Sequence, residues 1–151
     1  MIAIERAVPA DRPAIEALLT ANGLPLAGLE RAAETALVAR DAGGAIIGCA
    51  AIEPYGGAGL LRSVCVAEGE RATGLGRRLV AEAESLAVSA GIAELYLLTE
   101  TAAAWFPRLG YEPRPRAAVP AALAASPEFT GACPDSAVLL CKRLTREAPA
   151  T

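Results

Sequence analysis

The amino-acid sequence predicts an α/β fold in one domain. Strand-like and helical runs alternate along the chain in a regular order, which is typical of a sheet flanked by helices. The length of 151 residues suits one domain with a substantial core, and we identify neither an internal repeat nor an inter-domain linker. A glycine-rich junction, ERATGLGRRLV from Glu70, joins a strand-like run to a helical run in the middle of the chain.

The N-terminal half predicts a strand, two helices and a hairpin. Ile2–Arg6 is typical of a first strand, and PADRPAIEALLTANG indicates a helix that begins near Asp11 and ends at Asn22 and Gly23. A weaker helical pattern covers Ala27–Glu34. The segments TALVARD and AIIGCAAIEPYG, separated by the turn AGG, indicate a β-hairpin.

The C-terminal half continues the alternation. GLLRSVCV predicts a strand that ends at Val66. The helix after it is indicated by apolar residues at helical spacing: Leu75, Leu79, Ala83, Leu86, Ala87 and Ala90. ELYLLT indicates another strand, and TAAAWFPRLG indicates a short helix that ends at Gly110. The proline-rich stretch Glu112–Pro134 contains a short helical pattern around AALAAS, and SAVLLCKRL is typical of a last strand.

Charge and hydropathy exclude several classes of protein. The net charge of -3 and the pI near 5.1 give no basis for nucleic-acid binding. Hydrophobic residues make up 54% of the chain, yet no apolar run approaches the roughly 20 residues of a membrane-spanning helix. The start, MIAIERAVPADRP, carries acidic residues too early for a secretory signal. We therefore expect a cytoplasmic protein without a nucleic-acid or membrane partner.

The lack of histidine and the spacing of the cysteines restrict the chemistry further. A chain without histidine can form no Ser-His or Cys-His catalytic pair and no histidine metal ligand. None of the four cysteines forms a C-x-x-C pair: Cys49, Cys65, Cys133 and Cys141. We expect packed thiols, and neither a disulfide framework nor a metal site.

The ERATGLGRRLV junction has the composition of an anion site. A helix start offers unpaired N–H groups and a partial positive charge, and Gly74 and Gly76 beside Arg71 would let a ligand approach the backbone. A nucleotide P-loop needs a lysine directly after its glycines, and the only lysine is Lys142. A dinucleotide fold places its glycines after the first strand. The pyrophosphate of coenzyme A and a plain solvated turn are the alternatives that the junction leaves open.

Further motifs around the junction resemble those of the GCN5-related N-acetyltransferases (GNAT). The acyl-CoA motif of that family, Q/R-x-x-G-x-G/A, is matched at Arg71, Gly74 and Gly76. The family motif A-x-x-F-Y-x-x-x-G-F is matched in part by AAAWFPRLGYE, with Phe106 at its tyrosine and Tyr111 at its last phenylalanine. The order of the predicted elements also resembles this fold along essentially the whole chain.

The resemblance implies a fold, a co-substrate and a mechanism. The fold would be a mixed, mostly antiparallel sheet, flanked by helices and splayed at the acetyl-CoA site, in one domain over residues 1–144 with a disordered tail over 145–151. The strand ending at Val66 would bulge, so that backbone near Val64 and Val66 pairs with the pantetheine arm and a backbone N–H polarises the thioester carbonyl. An amine would attack directly, without a metal. Acetyl-CoA would contact the following residues: Val64, Val66, Arg71, Ala72, Thr73, Gly74, Leu75, Gly76, Arg77, Thr99 and Phe106.

Two positions depart from relatives that carry a catalytic acid or base. Phe106 stands where many relatives have a tyrosine that protonates the leaving thiolate, and Leu60 stands where some histone-modifying relatives have a glutamate base. The first change is tolerable because a thiol with a pKa of about 8.5 is a fair leaving group. At pH 7, deprotonating a lysine amine costs about 4.6 kcal/mol and an α-amino group about 1 kcal/mol. A weak base therefore favours an amino acid-like acceptor.

Arg62 lies two positions from both Leu60 and Val64, so in a regular strand the three side chains point to the same face of the sheet. The family resemblance implies that this face is turned toward the cleft. Its guanidinium suits bidentate binding of a carboxylate, phosphinate or arsonate-like group, and it equally suits an ion pair with Glu53 across the hairpin. Glu53 is our candidate for a water-mediated base, and Ser63 has the pattern of strand filler. Three further residues are candidates for the substrate side of the cleft, with a solvated capping segment as the alternative: Arg116, Ser126 and Glu128.

The C-terminal third carries a second resemblance. RPRAAVPAALAASPEFTGACPDSAVLLCKRL, together with LLRSVCV and LLTETAAAWFPRLGY, is similar to the small acetyltransferases encoded in arsenic-resistance operons. The chain is thus expected to be an acetyl-CoA-dependent N-acetyltransferase for a small, amino acid-like amine, as a monomer or homodimer. A protein or peptide N-acetyltransferase and a non-catalytic acyl-CoA-binding sensor are the alternatives. The acceptor, the presence of arsenic or phosphorus in it, and the general base stay open.

Overall fold

A computed structural model describes residues 2–71, 73–132 and 136–144 of the chain. Ala72, Cys133 and the expected tail over 145–151 lie outside the described residues. The strands and α-helices follow one another in this order: β1 (Ala3–Arg6), α1 (Arg12–Ala21), β2 (Leu37–Arg40), β3 (Ile46–Tyr55), β4 (Ala58–Val66), α2 (Leu75–Ser89), β5 (Glu94–Thr99), β6 (Glu112–Arg114), α3 (Ala121–Ala124) and β7 (Val138–Arg143). Among the described residues, no helix has the length and apolar character needed to cross a membrane.

The strands form one seven-stranded sheet in the order β1-β2-β3-β4-β5-β7-β6. All neighbouring strands are antiparallel except β4 and β5, which run parallel. The long connection between those two strands contains α2, as parallel neighbours require. The predicted mixed, mostly antiparallel sheet flanked by helices is confirmed.

Alternation along the strands divides the core between the two faces of the sheet. On one face, α2 packs with Leu75, Leu79 and Ala83 against inward residues of the central strands, among them Ile52 and Leu61. On the other face, α1 packs against β2, β3 and β4, and α3 packs against β4, β5 and β7. Because successive strand residues point to opposite faces, each central strand is buried on both sides.

A β-bulge interrupts the pairing of β3 with β4. Cys49 lies opposite Cys65 and Ala51 lies opposite Arg62, so two residues of β4 face one residue of β3. The first of the two, Ser63, has a φ of 58°, which places a non-glycine residue in the left-handed region. Ser63 therefore has a defined backbone conformation in the bulge, and the expectation that it only fills the strand is wrong.

The bulge also reverses the alternation of side chains along β4. Leu60 belongs to the cluster around Tyr96 and α3, whereas Val64 packs against the α2 side of the sheet. The expectation that Leu60, Arg62 and Val64 point the same way is wrong, because one extra residue in a strand moves every later side chain to the opposite face.

Three irregular segments differ from the predicted helices and strands. The weak helix expected over 27–34 is a 3₁₀ helix at Leu29–Thr35, and TAAAWFPRLG contains a 3₁₀ helix at Phe106–Leu109 that Gly110 ends with a φ of 99°. The proline-rich stretch contains β6, which the sequence did not predict. Its proline argues against a strand, yet an edge strand accepts one, because one side of the strand has no partner.

Candidate functional site

The sheet opens between its two parallel strands. The pairing of β4 with β5 runs from Ala58 and Glu94 to Leu60 and Tyr96 and then stops. Beyond that point β4 continues through the bulge to Val66, while β5 continues to Thr99 beside β7. Two cavities lie at this opening, and residues of β4 line both of them.

The first cavity has a volume of about 510 Å³ and lies between the end of β4 and the start of α2. The 3₁₀ segment at Phe106 and the turn before it close its far side. Its lining consists of these residues: Val64, Cys65, Val66, Glu70, Arg71, Gly74, Gly76, Arg77, Ala102, Trp105, Phe106 and Arg108.

The start of α2 gives the first cavity the properties of an anion site. Gly74 precedes the helix with a φ of 83°, a left-handed conformation that glycine adopts without a steric penalty. The first turn of an α-helix has N–H groups without intrahelical acceptors and a partial positive charge. Three arginines and one glutamate line the cavity, a surplus of two positive charges (three minus one). Phosphate groups fit this environment.

Arg71 joins the glycine junction to two other parts of the chain. Its Nε donates to the carbonyl oxygen of Val66 at 3.3 Å, and its Nη2 donates to the Asn22 side chain at the end of α1. Because its side chain is exposed and lines the first cavity, the guanidinium keeps donors available for a ligand.

The second cavity has a volume of about 330 Å³ and adjoins the first along β4. The two cavities share Val64, Ala102 and Phe106. The lining of the second cavity comes from the loop after α1, the opened parts of β4 and β5, and the segment before β7. Three charged side chains take part: Arg62, Glu100 and Glu128.

Arg62 is buried in a network of hydrogen bonds beneath the second cavity. Its Nη1 lies 2.6 Å from Glu53 Oε2, and both side chains are 0% exposed. The ion pair with Glu53, one of the two alternatives for Arg62, is confirmed. The strand register places Glu53 diagonally opposite Arg62 in the hairpin, as predicted. Further donors of Arg62 reach the carbonyls of Pro25 and Ala27 and the Ser63 hydroxyl.

Glu53 lies behind Arg62 and lines neither cavity. Its Oε1 accepts hydrogen bonds from Tyr55 Oη at 2.5 Å and from Ser126 Oγ at 2.8 Å. Burial and the hydrogen bond to Glu53 raise the pKa of Tyr55, which keeps its hydroxyl a donor at neutral pH. This surrounding is that of a structural carboxylate, and it does not support the expected role of Glu53 as a water-mediated base.

Most of the expected acetyl-CoA contacts meet at the first cavity. Seven of them line it: Val64, Val66, Arg71, Gly74, Gly76, Arg77 and Phe106. Thr99 lines the second cavity instead. The Thr73 hydroxyl donates to the Glu70 carbonyl at 2.7 Å, and the Leu75 side chain is buried in the core, so neither side chain reaches a cavity. Ala72 lies outside the described residues.

The expected substrate residues divide into two groups. Arg62 and Glu128 line the second cavity. Ser126 is buried against Glu53, and Arg116 donates to the Ala137 carbonyl with its guanidinium 5.4 Å from the centre of the Phe129 ring. Neither Ser126 nor Arg116 lines either of these two cavities.

Sequence reasoning missed several residues that line the cavities. Glu70, Trp105 and Arg108 line the first cavity, although the sequence patterns predict no role for them. The second cavity includes Asn22–Pro25, which the pattern showed only as the end of a helix. No local signal marks that loop, since it reaches the site through tertiary packing.

An aromatic layer supports the wall shared by the cavities. The Phe106 ring makes edge contacts with Trp105 and Tyr111, with centroids 4.8 Å and 5.5 Å away. The Tyr111 hydroxyl donates to Glu84 at 2.9 Å, and burial raises the pKa of Tyr111. Tyrosine can therefore occupy the phenylalanine position of the motif, because its hydroxyl has an acceptor.

The described part of the chain contains no group of three or more His, Cys, Asp or Glu residues that could hold a metal ion. Cys49, Cys65 and Cys141 are free thiols, and burial raises the pKa of each. Packed thiols were expected at these positions, and Cys133 lies outside the described residues.

Comparisons with known proteins agree with this geometry. A family model described as an acetyltransferase (GNAT) domain matches residues 32–113, more than half of the chain. The fold is similar to that of N-acetylglutamate synthase from Neisseria gonorrhoeae in complex with coenzyme A and N-acetyl-glutamate, at 24% identity and a TM-score of 0.82. The match covers 97% of this chain and 36% of that one, so the chain spans about a third of the synthase.

Two further solved structures match over most of both chains. Rv2747 from Mycobacterium tuberculosis, in complex with CoA, is 20% identical with a TM-score of 0.77, and the match covers 95% of this chain and 99% of that one. The GNAT family N-acetyltransferase YhbS from Escherichia coli, in complex with CoA, is 22% identical with a TM-score of 0.63, with coverage of 96% and 81%. A comparison with curated proteins found no match.

Proposed function

The chain belongs to the GNAT acetyltransferase family, and we propose that it transfers an acetyl group from acetyl-CoA directly to the amine of a small, amino acid-like molecule. One observation carries this proposal: two adjoining cavities, one suited to phosphates and one of small-molecule size, meet at the opening between β4 and β5. A transferase for two substrates needs such a meeting point.

The first cavity is the proposed site of acetyl-CoA. Its surplus of positive charge and the start of α2 suit the pyrophosphate, as the GNAT motif implies for Arg71, Gly74 and Gly76. Val64 and Val66 line the same cavity at the opened edge of β4, where a pantetheine arm can pair with strand backbone. The complexes of YhbS and Rv2747 with CoA support this assignment.

The transfer would take place beside Val64, which lines both cavities. A neutral amine in the second cavity attacks the thioester carbonyl carbon and forms a C–N bond. A backbone N–H of β4 stabilises the oxyanion, the C–S bond breaks, and the nitrogen loses a proton while the thiolate gains one. The products are the N-acetylated amine and CoA, and no covalent enzyme intermediate is needed.

The size and acid–base character of the site favour a small acceptor. A volume of about 330 Å³ lies at the lower end of the range of ligand pockets. Since Glu53 is buried behind Arg62, the site fits an amine that loses its proton easily, such as an α-amino group. The N-acetyl-glutamate bound to the gonococcal synthase gives one example of such chemistry in this fold.

The resemblance to acetyltransferases of arsenic-resistance operons adds a narrower acceptor class to this proposal. An amino acid with an arsenic or phosphorus oxyanion would need donors in the second cavity. Arg62 supplies the positive charge there, but four of its N–H groups already have protein acceptors. Recognition of an oxyanion would therefore depend on backbone N–H groups at the cavity, since Arg116 lines neither cavity.

The experiment is a CoA-release assay with acetyl-CoA and a panel of amines at pH 7–9. The panel contains amino acids, their amides and decarboxylated forms, amino acids with phosphinate or arsonate groups, polyamines, and peptides with free N-termini or lysines. We expect turnover with at least one small α-amine and higher kcat/KM for α-amines than for ε-amines.

Other results would support one of the two alternatives. Turnover confined to peptides would replace the small acceptor with a protein acceptor. Tight binding of acetyl-CoA, measured by calorimetry, together with no turnover across the panel would favour the acyl-CoA sensor. Absence of acetyl-CoA binding would remove the proposal as a whole.

A further inference from the structure

We propose that Arg62 is a positioning residue that holds two walls of the second cavity in place and does not itself bind the acceptor. The expected effect of Arg62 on catalysis rests on the proposed function. The claim that Arg62 holds the two walls in place can be tested without any enzymatic turnover.

Arg62 holds the loop after α1 through its backbone. Nη1 donates to the Ala27 carbonyl at 2.6 Å, and Nη2 donates to the Pro25 carbonyl at 3.0 Å. The same loop contributes Asn22–Pro25 to the lining of the second cavity. A charged donor that binds two carbonyls of one loop fixes both the position and the direction of that loop.

Arg62 also holds the segment before β7, which forms another wall. Glu128 lines the cavity, and its Oε2 lies 3.5 Å from Arg62 Nε. Glu53, paired with Arg62, accepts from Ser126 Oγ at 2.8 Å, and the Glu128 backbone N–H donates to the same oxygen at 3.3 Å. The path from Arg62 to this wall therefore runs both directly and through Glu53.

The two walls also contact each other beside Arg62. A Cβ built on Gly28 would lie 2.9 Å from Pro127 Cγ and 3.0 Å from Arg62 Nη1. Only a residue without a side chain allows the loop to approach the segment and the guanidinium this closely. The close packing explains how one buried side chain can set the spacing of both walls.

The contacts of Arg62 leave no pair of parallel N–H donors free to bind an acceptor carboxylate. Of the five N–H groups of a guanidinium, four already have an acceptor within the protein. A bidentate clamp needs two parallel donors facing the ligand. The side chain is 0% exposed, so a clamp would first require the network to break.

The test is Arg62→Lys, which keeps the charge beside Glu53 and loses the planar fork that reaches two carbonyls. We expect faster amide hydrogen exchange in residues 22–28 and 126–132, with exchange in α2 unchanged. With any acceptor found in the panel, we expect KM to rise at least 10-fold, equally for carboxylated and decarboxylated forms. The Kd of acetyl-CoA is expected to stay within twofold.

Arg40→Lys is the matched control. Arg40 also forms ion pairs on the sheet, with Asp11 and Glu5, and it lines neither cavity. Its replacement should lower the thermal midpoint without changing acceptor KM or exchange in the two walls. Equal effects from both variants would mean that Arg62 acts only through global stability and would overturn the proposal.

Two further results would overturn it. A rise in KM confined to carboxylated acceptors would show that Arg62 is the clamp. Unchanged exchange in both walls would show that Arg62 holds neither wall.

If Arg62→Lys does not fold, Ser126→Ala applies the same test to one wall, because it removes the hydroxyl between Glu53 and Glu128. Unchanged exchange in 126–132 would then count against the proposal. Because exchange needs no substrate, a wild-type protein without turnover would contradict the proposed function alone.

Discussion

Trp105 lies over the glycine in the first turn of α2: a Cβ built on Gly76 would sit 3.4 Å from two carbons of its indole ring, Cζ2 and Cη2. Val66 Cγ2 lies 3.8 Å from the same point. Trp105 and Val66 both line the first cavity. A methyl group at position 76 would therefore occupy the cavity between the helix start, the tryptophan and the end of β4.

We predict that Gly76→Ala weakens acetyl-CoA binding while the protein keeps its stability. Alanine favours a helix over glycine by about 0.5–1 kcal/mol, and its Cβ would lie at the near limit of ordinary van der Waals contact with Trp105. In the ligand complex, crowding of this size costs about 1–3 kcal/mol of binding free energy. Calorimetric titration with acetyl-CoA and urea unfolding give the two quantities.

Gly74→Ala is the matched control, and we predict the opposite pattern. Among the described residues, a Cβ on Gly74 meets no atom within 4 Å, but the φ of Gly74, 83°, is left-handed. Alanine there should lower the free energy of unfolding by about 1–2 kcal/mol, with a smaller change in acetyl-CoA affinity than Gly76→Ala causes. Greater loss of affinity in Gly74→Ala would show that the ligand approaches the backbone at position 74 and not at 76.

We predict that acetyl-CoA raises the thermal midpoint and that ATP and NAD do not. At 100 times its dissociation constant a ligand adds about 2.7 kcal/mol, which corresponds to about 5–10 °C for a domain of this size. Trp105 is the one tryptophan of the chain and lines the first cavity, so its fluorescence should change during the titration. Equal shifts with ATP would show that the cavity binds nucleotides in general.

A third prediction concerns the bulge at Ser63. A β-branched residue suffers a steric penalty at a φ of 58°, so Ser63→Val should lose about 2 kcal/mol of stability. Ser63→Asn should lose less, because asparagine accepts the left-handed conformation and its oxygen can replace the acceptor for Arg62 Nε, which lies 3.2 Å from the Ser63 hydroxyl. Urea unfolding compares the two variants, and equal stability would mean that the strand does not need this conformation.

A fourth prediction concerns acid unfolding. Arg40 Nη2 donates to both oxygens of Asp11 at 2.7 Å, and these bonds, followed by a backbone bond from Val8, hold the pKa of Asp11 below its ordinary value. A lowered native pKa stabilises the fold above the unfolded-state pKa of about 3.9, and that stability is lost as the pH falls through the native pKa.

We therefore expect Asp11→Asn to lose less stability than the wild type between pH 5 and pH 3. Arg40→Gln should also reduce the loss of stability between pH 5 and pH 3, since it removes the hydrogen bonds that are the first cause of the lowered pKa of Asp11. Urea unfolding at several pH values measures the slope. A slope in Asp11→Asn that equals that of the wild type would remove this carboxylate from the acid response.

The sequence alone determined the order of nearly all the elements and the position of the glycine junction at the start of α2. Period-two and helical patterns depend on neighbours along the chain, so β5 and α2 could be predicted with nearly their observed bounds. Gly74 and Gly76 could be placed at a helix start for the same reason, since a strand, a loop and a helix start are contiguous in sequence. The edge strand β6 escaped prediction because its pairing with β7 compensates for a proline that local preference disfavours.

Only the tertiary structure decided which groups Arg62 contacts. Its sequence pattern allowed both a clamp and an ion pair, because parity along a strand gives the face of a side chain but not its partners. The bulge at Ser63 then changed that parity, and a left-handed serine leaves no local signal. The carbonyls of Pro25 and Ala27 lie more than thirty positions away in the chain and reach Arg62 only when the loop after α1 packs against β4. Contacts between distant segments depend on the global packing, which no local pattern contains.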